Sequence, residues 1–451
     1  MKTSVILLVQ DNSDNLPLCL QVLRKHLAGY EHEIVAVTGS YASEETLRFI
    51  AREGIEIISL ADNITCSSAF NAAFRAATGE IIFFLRDNVI LAGNAYSIMI
   101  KTLHSAADIG MVGTLHDFSK YHQQLTTLPV SSFETLADLD AYGCQVEATG
   151  KPTGVLLLEA FCFILKRSTI EATGLADENY SGSLGLEVDL TMRAIQAGYR
   201  PLVASTFVHL NAFEANIPEQ MGDDDNYFLR KWGFYPFYST GVNTHLLKMY
   251  DMYTDALQVL DIGCACGGLM YALRQRNPRV TVYGIEINPY AAQMAAHFGE
   301  SLSADIEVFY RPDWHEKFDV IIMGDVIEHL KEPQSALAKV RDMLKSDGVL
   351  LTSIPNVAHI SNIYNMLQGK WEYTNAGILD RTHLRFFTLN SIRKMFADIG
   401  FSIVEVLATL ARNIDEKHIA LLNELEKLPQ VSIDGNELKS FQYMLKCVKK
   451  I

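Results

Sequence analysis

Twice along this chain, short runs of aliphatic and β-branched residues alternate with stretches of helical apolar spacing, and residues 211–250 between the two series show neither period. Such alternation calls for parallel strands joined by crossover helices, because a parallel pair cannot be closed by a tight hairpin. The first series runs through Val5–Val9, helix Leu16–Leu27, Ile34–Val37, helix Glu44–Arg52, Ile55–Ser59, helix Ser67–Ala77 and Ile81–Leu85. A polar, aperiodic insertion over Lys120–Thr153 follows, then a strand Gly154–Leu165, a helix Glu187–Ala197 and a strand Pro201–His209. The second series runs through Val259–Ile262, helix Leu269–Arg276, Val280–Ile285, helix Ala291–Phe298, Val320–Met323, helix Gln334–Leu344 and Val349–Ser353. Beyond it come helix Leu389–Ile399 with Thr388 as N-cap and Gly400 closing it, Phe401–Leu407, a helical stretch Asn413–Leu428 and an edge strand Phe441–Val448.

The expected architecture is therefore two α/β domains, over residues 1–215 and 245–451, joined by a packed connector over 216–244. A chain of 451 residues is also too long for one ordinary core. A net charge of −15 gives no broad positive field, which argues against a nucleic-acid substrate. Seven cysteines, an odd number spread over both halves, do not make a disulfide framework, so a cytoplasmic setting is expected. Val5–Val9 is followed too soon by Asp11 and Asp14 to be a signal-peptide core, and Val155–Leu165, broken by Glu159, is too short to span a bilayer. No transmembrane segment is expected, while peripheral membrane contact stays compatible with the sequence.

Asp261-Ile-Gly-Cys-Ala-Cys-Gly267, with Gly268 after it, sits between a strand and a helix, where small residues let backbone approach a ligand and helix N–H groups face it. Gly263-x-Ala265-x-x-Gly268 nearly matches a dinucleotide fingerprint, but Asp261 just before the turn would repel a pyrophosphate. Glu286 ends the second strand, where a carboxylate can accept both hydroxyls of a ribose. Asp305 and Ile306 follow the next short segment, placed for an adenine amino group and ring. Farther on stand Phe318-Asp-Val-Ile-Ile-Met-Gly-Asp-Val-Ile-Glu-His-Leu330 and Gly377-Ile-Leu-Asp-Arg-Thr-His-Leu-Arg-Phe-Phe-Thr388.

On these residues the second half resembles the class I S-adenosyl-L-methionine-dependent methyltransferases, and in its Gly377–Thr388 segment the bacterial branch often fused to glycosyltransferases. The resemblance implies a Rossmann-like seven-stranded domain with S-adenosyl-L-methionine held by Asp261, Gly263, Ala265, Gly267, Glu286, Asp305, Ile306 and Asp325. A base is needed where the acceptor is a hydroxyl, and His329 and His383 are the candidates, imidazole titrating near working pH. Trp371, Tyr373, Phe386 and Phe387 flank them, to stack on a sugar or to close the core. Arg381 and Arg385 would bind an acidic acceptor or pair with Asp380.

In the first half, Ser4-Val-Ile-Leu-Leu-Val-Gln-Asp-Asn12, Ala69-Phe-Asn71, Gly79-Glu-Ile-Ile-Phe-Phe-Leu-Arg-Asp-Asn88 and Gly185-Leu-Glu-Val-Asp-Leu190 resemble the family-2 glycosyltransferases of the GT-A, nucleotide-diphospho-sugar transferase fold. The metal-binding D-x-D of that family is Arg86-Asp87-Asn88 here, and Val37-Thr38 replaces its uracil-contacting Asp. Glu187 stands at the position of the family's general base, Asp189 two residues on, and His209 where a metal-ligating His often occurs. The resemblance thus implies a nucleotide-sugar donor or an acceptor held near Arg86, Asp87, Asn88, Asp189 and His209, with Mg2+ or Mn2+ on Asp87 and His209 as one alternative and Arg86 neutralising the diphosphate as the other. Two readings stay open: a bifunctional enzyme of polysaccharide, glycolipid or glycoprotein decoration, with a glycan or glycolipid acceptor, or a methyltransferase whose first domain is a catalytically degenerate carbohydrate-binding scaffold.

Overall fold

The computed structural model describes residues 1–9, 14–61, 64–117, 133, 135–210, 222–236, 243–250, 252, 255–410, 414–428 and 435–450. Asp11, Asn12 and much of the polar stretch after Lys120 lie outside them. The chain divides into two compact units, Met1–Gly241 and Val242–Ile451. No helix among the described residues is long and apolar enough to cross a membrane.

In the first unit, β1 (Thr3–Leu8), β2 (His32–Thr38), β3 (Glu56–Ser59), β4 (Ile81–Arg86), β5 (Val89–Leu91), β6 (Ile109–His116), β7 (Thr153–Gly154), β8 (Cys162–Lys166) and β9 (Arg200–Leu210) share one sheet. Its order is β3-β2-β1-β4-β8-β6-β9-β5, with β7 paired to β9. The strands β1 to β4 run parallel, and β8 enters antiparallel between β4 and β6. Every residue of β1 is buried, as a strand with both faces covered requires. Phe84 and Phe163, on neighbouring strands, stack with ring centroids 5.1 Å apart, and Phe70 of helix Cys66–Ala76 packs over both.

Three expectations for this unit change. Gly154–Leu165 is not one strand: after Gly154 the chain leaves the sheet and returns at Cys162. On the way the Leu158 N–H donates to the Glu187 carbonyl at 3.3 Å, a detour that a continuous apolar run does not announce. The helix expected from Glu187 begins as a π-helical turn, Gly185–Asp189, before the α-helix Leu190–Gln196. The insertion contains a helix, Leu136–Thr149, capped by Thr135 and Asp138, which buries only Leu139, Gly143 and Val146, too thin a stripe to register as periodic.

The second unit is an α/β domain whose sheet holds β10 (Gln258–Ile262), β11 (Thr281–Glu286), β12 (Glu300–Ser303), β13 (Phe318–Gly324), β14 (Leu344–Pro355), β15 (Phe401–Leu410) and β16 (Ser440–Lys449). The order is β12-β11-β10-β13-β14-β16-β15, Rossmann-like and seven-stranded, with β16 antiparallel to both neighbours. The last strand is therefore not at the edge. It inserts between β14 and β15, where Tyr443, Leu445 and Cys447 join the core, and the largely exposed β15 takes the edge. Strand order reverses between β10 and β13, and the crevice beyond the carboxyl ends of strands at such a point is where open α/β sheets bind ligands.

Trp314 anchors the core on that side, fully buried, edge-on to Phe318 at 5.0 Å and to Tyr283 at 5.7 Å. Its indole N–H has no partner, so the ring is held by packing and by the Arg311 guanidinium 4.9 Å and the Lys317 ammonium 5.3 Å from its centroid. In urea denaturation of the full chain followed by circular dichroism, Trp314→Ala is expected to cost about 3–5 kcal/mol. Trp314→Phe, which removes the unpaired N–H and keeps most of the ring, is expected to recover more than half of that.

Candidate functional site

The loop after β10 is built on left-handed backbone. Gly263, Ala265 and Gly267 have φ of +74°, +48° and +82°, and Asp325, at the end of β13, has +55°. Only three non-glycine residues among those described adopt positive φ, and two of them, Ala265 and Asp325, lie here. Strain of this kind persists where the surroundings over-determine it, and it clusters at binding sites. A β-carbon on Gly263 would come 2.5 Å from Val326 Cγ2, so the two strand ends approach each other too closely for any side chain there.

The left-handed turn at Ala265 aims its N–H at Glu286, whose Oε2 accepts at 2.9 Å, while Oε1 accepts from the Asn288 N–H at 2.9 Å. Two backbone donors thus fix this carboxylate at the tip of β11. Asp261, at the end of β10, is buried, and its carboxyl is pushed up to about 8 by burial and by the neighbouring charge of Glu286. On β13 the Asp325 N–H donates to Ser353 Oγ at 2.9 Å, and Gln442 Nε2 donates to Asp325 Oδ1. Asp325 keeps solvent contact, and the protein packed around its carboxyl raises its pKa through desolvation. Asp305 Oδ1 caps the Glu307 N–H at 2.8 Å, and Ile306 is packed into the core beside Ile285 and Trp314.

The structure brings His329 and His383 together. Their rings meet edge to face at 4.8 Å, although 54 positions separate them. The Glu328 carbonyl accepts from the N–H groups of Leu384 at 2.8 Å and Arg385 at 3.0 Å, which stitches the later loop onto the 3-10 turn Ile327–His329. Arg385 is spent on this stitching, since its guanidinium donates to the Leu384 and Lys331 carbonyls. His329 Nδ1 lies 3.2 Å from the Thr382 carbonyl and His383 Nδ1 3.0 Å from the Ile378 carbonyl. A carbonyl can only accept, so each Nδ1 carries a proton, and the lone pair of the neutral ring is on Nε2. Burial, first, and then the neighbouring His383 hold His329 below its ordinary pKa. Trp371 and Tyr373 are exposed around Phe386 beside this pair, whereas Phe387 is buried in the core.

In the first unit, β4 delivers Arg86 to its end, where Nε donates to the Ala160 carbonyl at 2.7 Å and the guanidinium lies 4.9 Å over the Phe161 ring. Asp87 and Asn88 follow, both buried, with Asn88 Oδ1 lacking a partner. Glu187 is buried beside Glu159, accepts from the Ala160 N–H at 3.2 Å, and is raised above the ordinary carboxylate range by burial and by Glu159. Asp189 is wholly buried and bonded to Arg193 at 2.8 Å, Lys231 at 2.6 Å and Trp232 Nε1 at 2.9 Å, which makes it an anchor for helix Asp223–Trp232. His209 Nδ1 pairs with Asp117. Among the described residues, no third metal-ligating side chain joins Asp87 or His209.

Residues that sequence reasoning did not single out also shape the site. Asn288 supplies its backbone N–H, and Gln442 reaches Asp325 from 117 positions away, a contact with no local signal. Glu328 carried a signal, an acid directly before His329 in a turn, that went unused.

Residues 235–406 match the family model for a methyltransferase domain, and residues 4–144 that for glycosyl transferase family 2. The ubiquinone biosynthesis O-methyltransferase of Haemophilus ducreyi is 30% identical over 109 residues, which cover 22% of this chain and 45% of the relative. The (S)-coclaurine N-methyltransferase of Papaver somniferum is 26% identical over 159 residues, covering 32% of this chain and 44% of the relative. This chain therefore spans less than half the length of these two relatives. A solved SAM dependent methyltransferase from Archaeoglobus fulgidus aligns with TM-score 0.33 and 17% identity, covering 50% of this chain and 99% of that one.

The left-handed loop makes a stability prediction. Gly263→Ala should destabilise the protein by about 1–3 kcal/mol, since it adds both strain and the clash with Val326. Ala265→Gly should shift stability by less than about 1 kcal/mol, because relief of the left-handed strain is offset by a freer unfolded chain. Urea midpoints of the two variants check both.

Proposed function

We propose that this chain, which joins a glycosyl transferase family 2 domain to a methyltransferase domain, modifies glycans, its C-terminal unit methylating a sugar hydroxyl and its N-terminal unit transferring or positioning the sugar. The observation that carries the first part is the Glu286 carboxylate, held by the Ala265 and Asn288 N–H groups at the tip of β11, with Asp261 near the end of β10 and Asp325 just after β13, the two strands between which the order reverses. S-adenosyl-L-methionine supplies a sulfonium-activated methyl group. The residues fit such a ligand: close backbone at Gly263, Ala265 and Gly267, a preset carboxylate for two ribose hydroxyls, Asp305 and Ile306 for the base, and acidic charge at Asp261 and Asp325 for a cation. A dinucleotide pyrophosphate would meet this same acidic set and be repelled.

On the acceptor side, His329 and His383 present Nε2 lone pairs beside exposed Trp371 and Tyr373, a combination suited to holding a sugar ring and orienting its hydroxyl. Either imidazole would accept the hydroxyl proton as the oxygen bonds the methyl carbon and the carbon–sulfur pair returns to sulfur.

For the N-terminal unit a second reading is favoured by Arg86. Its guanidinium already donates to the Ala160 carbonyl and lies over Phe161, at the position where the family places a metal-binding acid. That arrangement suits a domain that binds carbohydrate without transferring it. Glu187→Gln separates the readings: loss of sugar transfer by the purified chain marks Glu187 as the base, and an undiminished rate removes it from that role. In cells, mass spectrometry of surface glycans with and without the gene product would show whether a methyl group, a hexose or both disappear. Glycans unchanged in both would overturn the proposal.

The Asp261 carboxyl adds a pH dependence. In the free site it holds its proton below about pH 8, and a bound cation favours the carboxylate, so binding at lower pH must expel that proton. Affinity for S-adenosyl-L-methionine should therefore rise between pH 6 and pH 8, by at most about tenfold per unit, and level off above. Calorimetry in buffers of different ionisation enthalpy should show the released proton, and Asp261→Asn should abolish both the slope and the release.

A further inference from the structure

Glu328 has no role in the chemistry described above, yet it is among the most buried acids of the second unit. It is 1% exposed, and neither carboxylate oxygen has a hydrogen-bond partner. A buried carboxyl normally finds donors, so a bare one calls for an explanation. Glu328, His329 and His383 each offer a ligating atom, and the three atoms lie within 4.8 Å of one another. Both imidazoles spend Nδ1–H on backbone carbonyls, at 3.2 Å to Thr382 and 3.0 Å to Ile378. A carbonyl on Nδ1–H in this way fixes the tautomer of a metal-ligating histidine and leaves Nε2 for the ion.

We propose that Glu328, His329 and His383 hold a divalent first-row transition ion such as Mn2+, Fe2+, Co2+ or Zn2+, with open coordination positions toward the acceptor. Two imidazoles and one carboxylate select such ions over Mg2+ and Ca2+, which prefer all-oxygen sets. Three ligands at about 2.1 Å from one ion lie about 3.0–3.4 Å apart in octahedral or tetrahedral geometry, so closing the site from atoms within 4.8 Å of one another needs side-chain shifts of up to about an ångström. The two carbonyl bonds and the stitching of Leu384 and Arg385 to the Glu328 carbonyl hold the later loop in place for this. A bound ion would pair the bare carboxylate and accept the Nε2 lone pair of each neutral imidazole.

The role of the ion rests on the methyl-transfer reading; its binding does not. With both imidazoles ligated, the ion replaces them as the group that activates the acceptor. A hydroxyl placed on an open position loses its proton to water, its oxygen bonds the methyl carbon, and the carbon–sulfur pair returns to sulfur, leaving an ether and a neutral thioether.

The test uses the full chain, stripped with a chelator and titrated with Co2+, read by visible absorption and by calorimetry. One Co2+ per chain is expected, with d–d bands of a nitrogen and oxygen ligand set. Glu328→Gln and His383→Ala should each raise Kd at least tenfold, while His315→Ala, an exposed histidine paired with Asp342, should leave it unchanged. Binding of S-adenosyl-L-methionine by each variant checks that it is folded, and His329→Ala stands in where Glu328→Gln is not. No Co2+ uptake by the folded protein, or uptake insensitive to every substitution of the three, overturns the site. Co2+ bound at the site in a chain that transfers no methyl group overturns the functional reading and leaves the site standing.

Discussion

A single carboxylate organises the second unit. Glu286 accepts from Ala265 on one side and Asn288 on the other, and those two bonds tie the loop after β10 to the tip of β11. Ala265, left-handed like its neighbours Gly263 and Gly267, is the residue that presents its N–H to Glu286. The price is an electrostatic one: a second acid, Asp261, is buried within range of the first and is pushed up to about 8. Burial and the Glu286 charge together make Asp261 keep its proton near neutral pH.

Much of this was legible in the sequence because it rests on local rules. The βα alternation, the Thr388 cap with Gly400, and the Asp261 and Glu286 positions at strand ends all depend on residues a few positions apart, where period and turn chemistry speak directly. Contacts of long range were silent. The sequence shows that Ser440–Lys449 is a strand but not that it slips between β14 and β15, because insertion depends on which neighbours cover its faces. Gln442 reaching Asp325 follows from that insertion. His329 and His383 could be named one by one, whereas their meeting over Glu328 is fixed by two backbone bonds that leave no mark on side-chain pattern.

The first unit shows the converse. Its motif order was readable, but the burial of each motif residue was not. Glu187 and Asp189 occupy one π-helical turn, two residues apart, yet Asp189 is saturated by Arg193, Lys231 and Trp232 while Glu187 faces Glu159. Similar spelling thus yields an anchor and a strained acid. Residues two positions apart face nearly opposite sides of a helical turn, which separates the two side chains in this way.

The central claim is that the loop and Glu286 form one preorganised site for S-adenosyl-L-methionine. Calorimetric titration of that ligand into the full chain, beside Glu286→Ala, tests it most directly. The account predicts one molecule bound per chain, with at least tenfold weaker binding by the variant. Absence of binding by the unaltered, folded chain, or equal affinity in both, would contradict it.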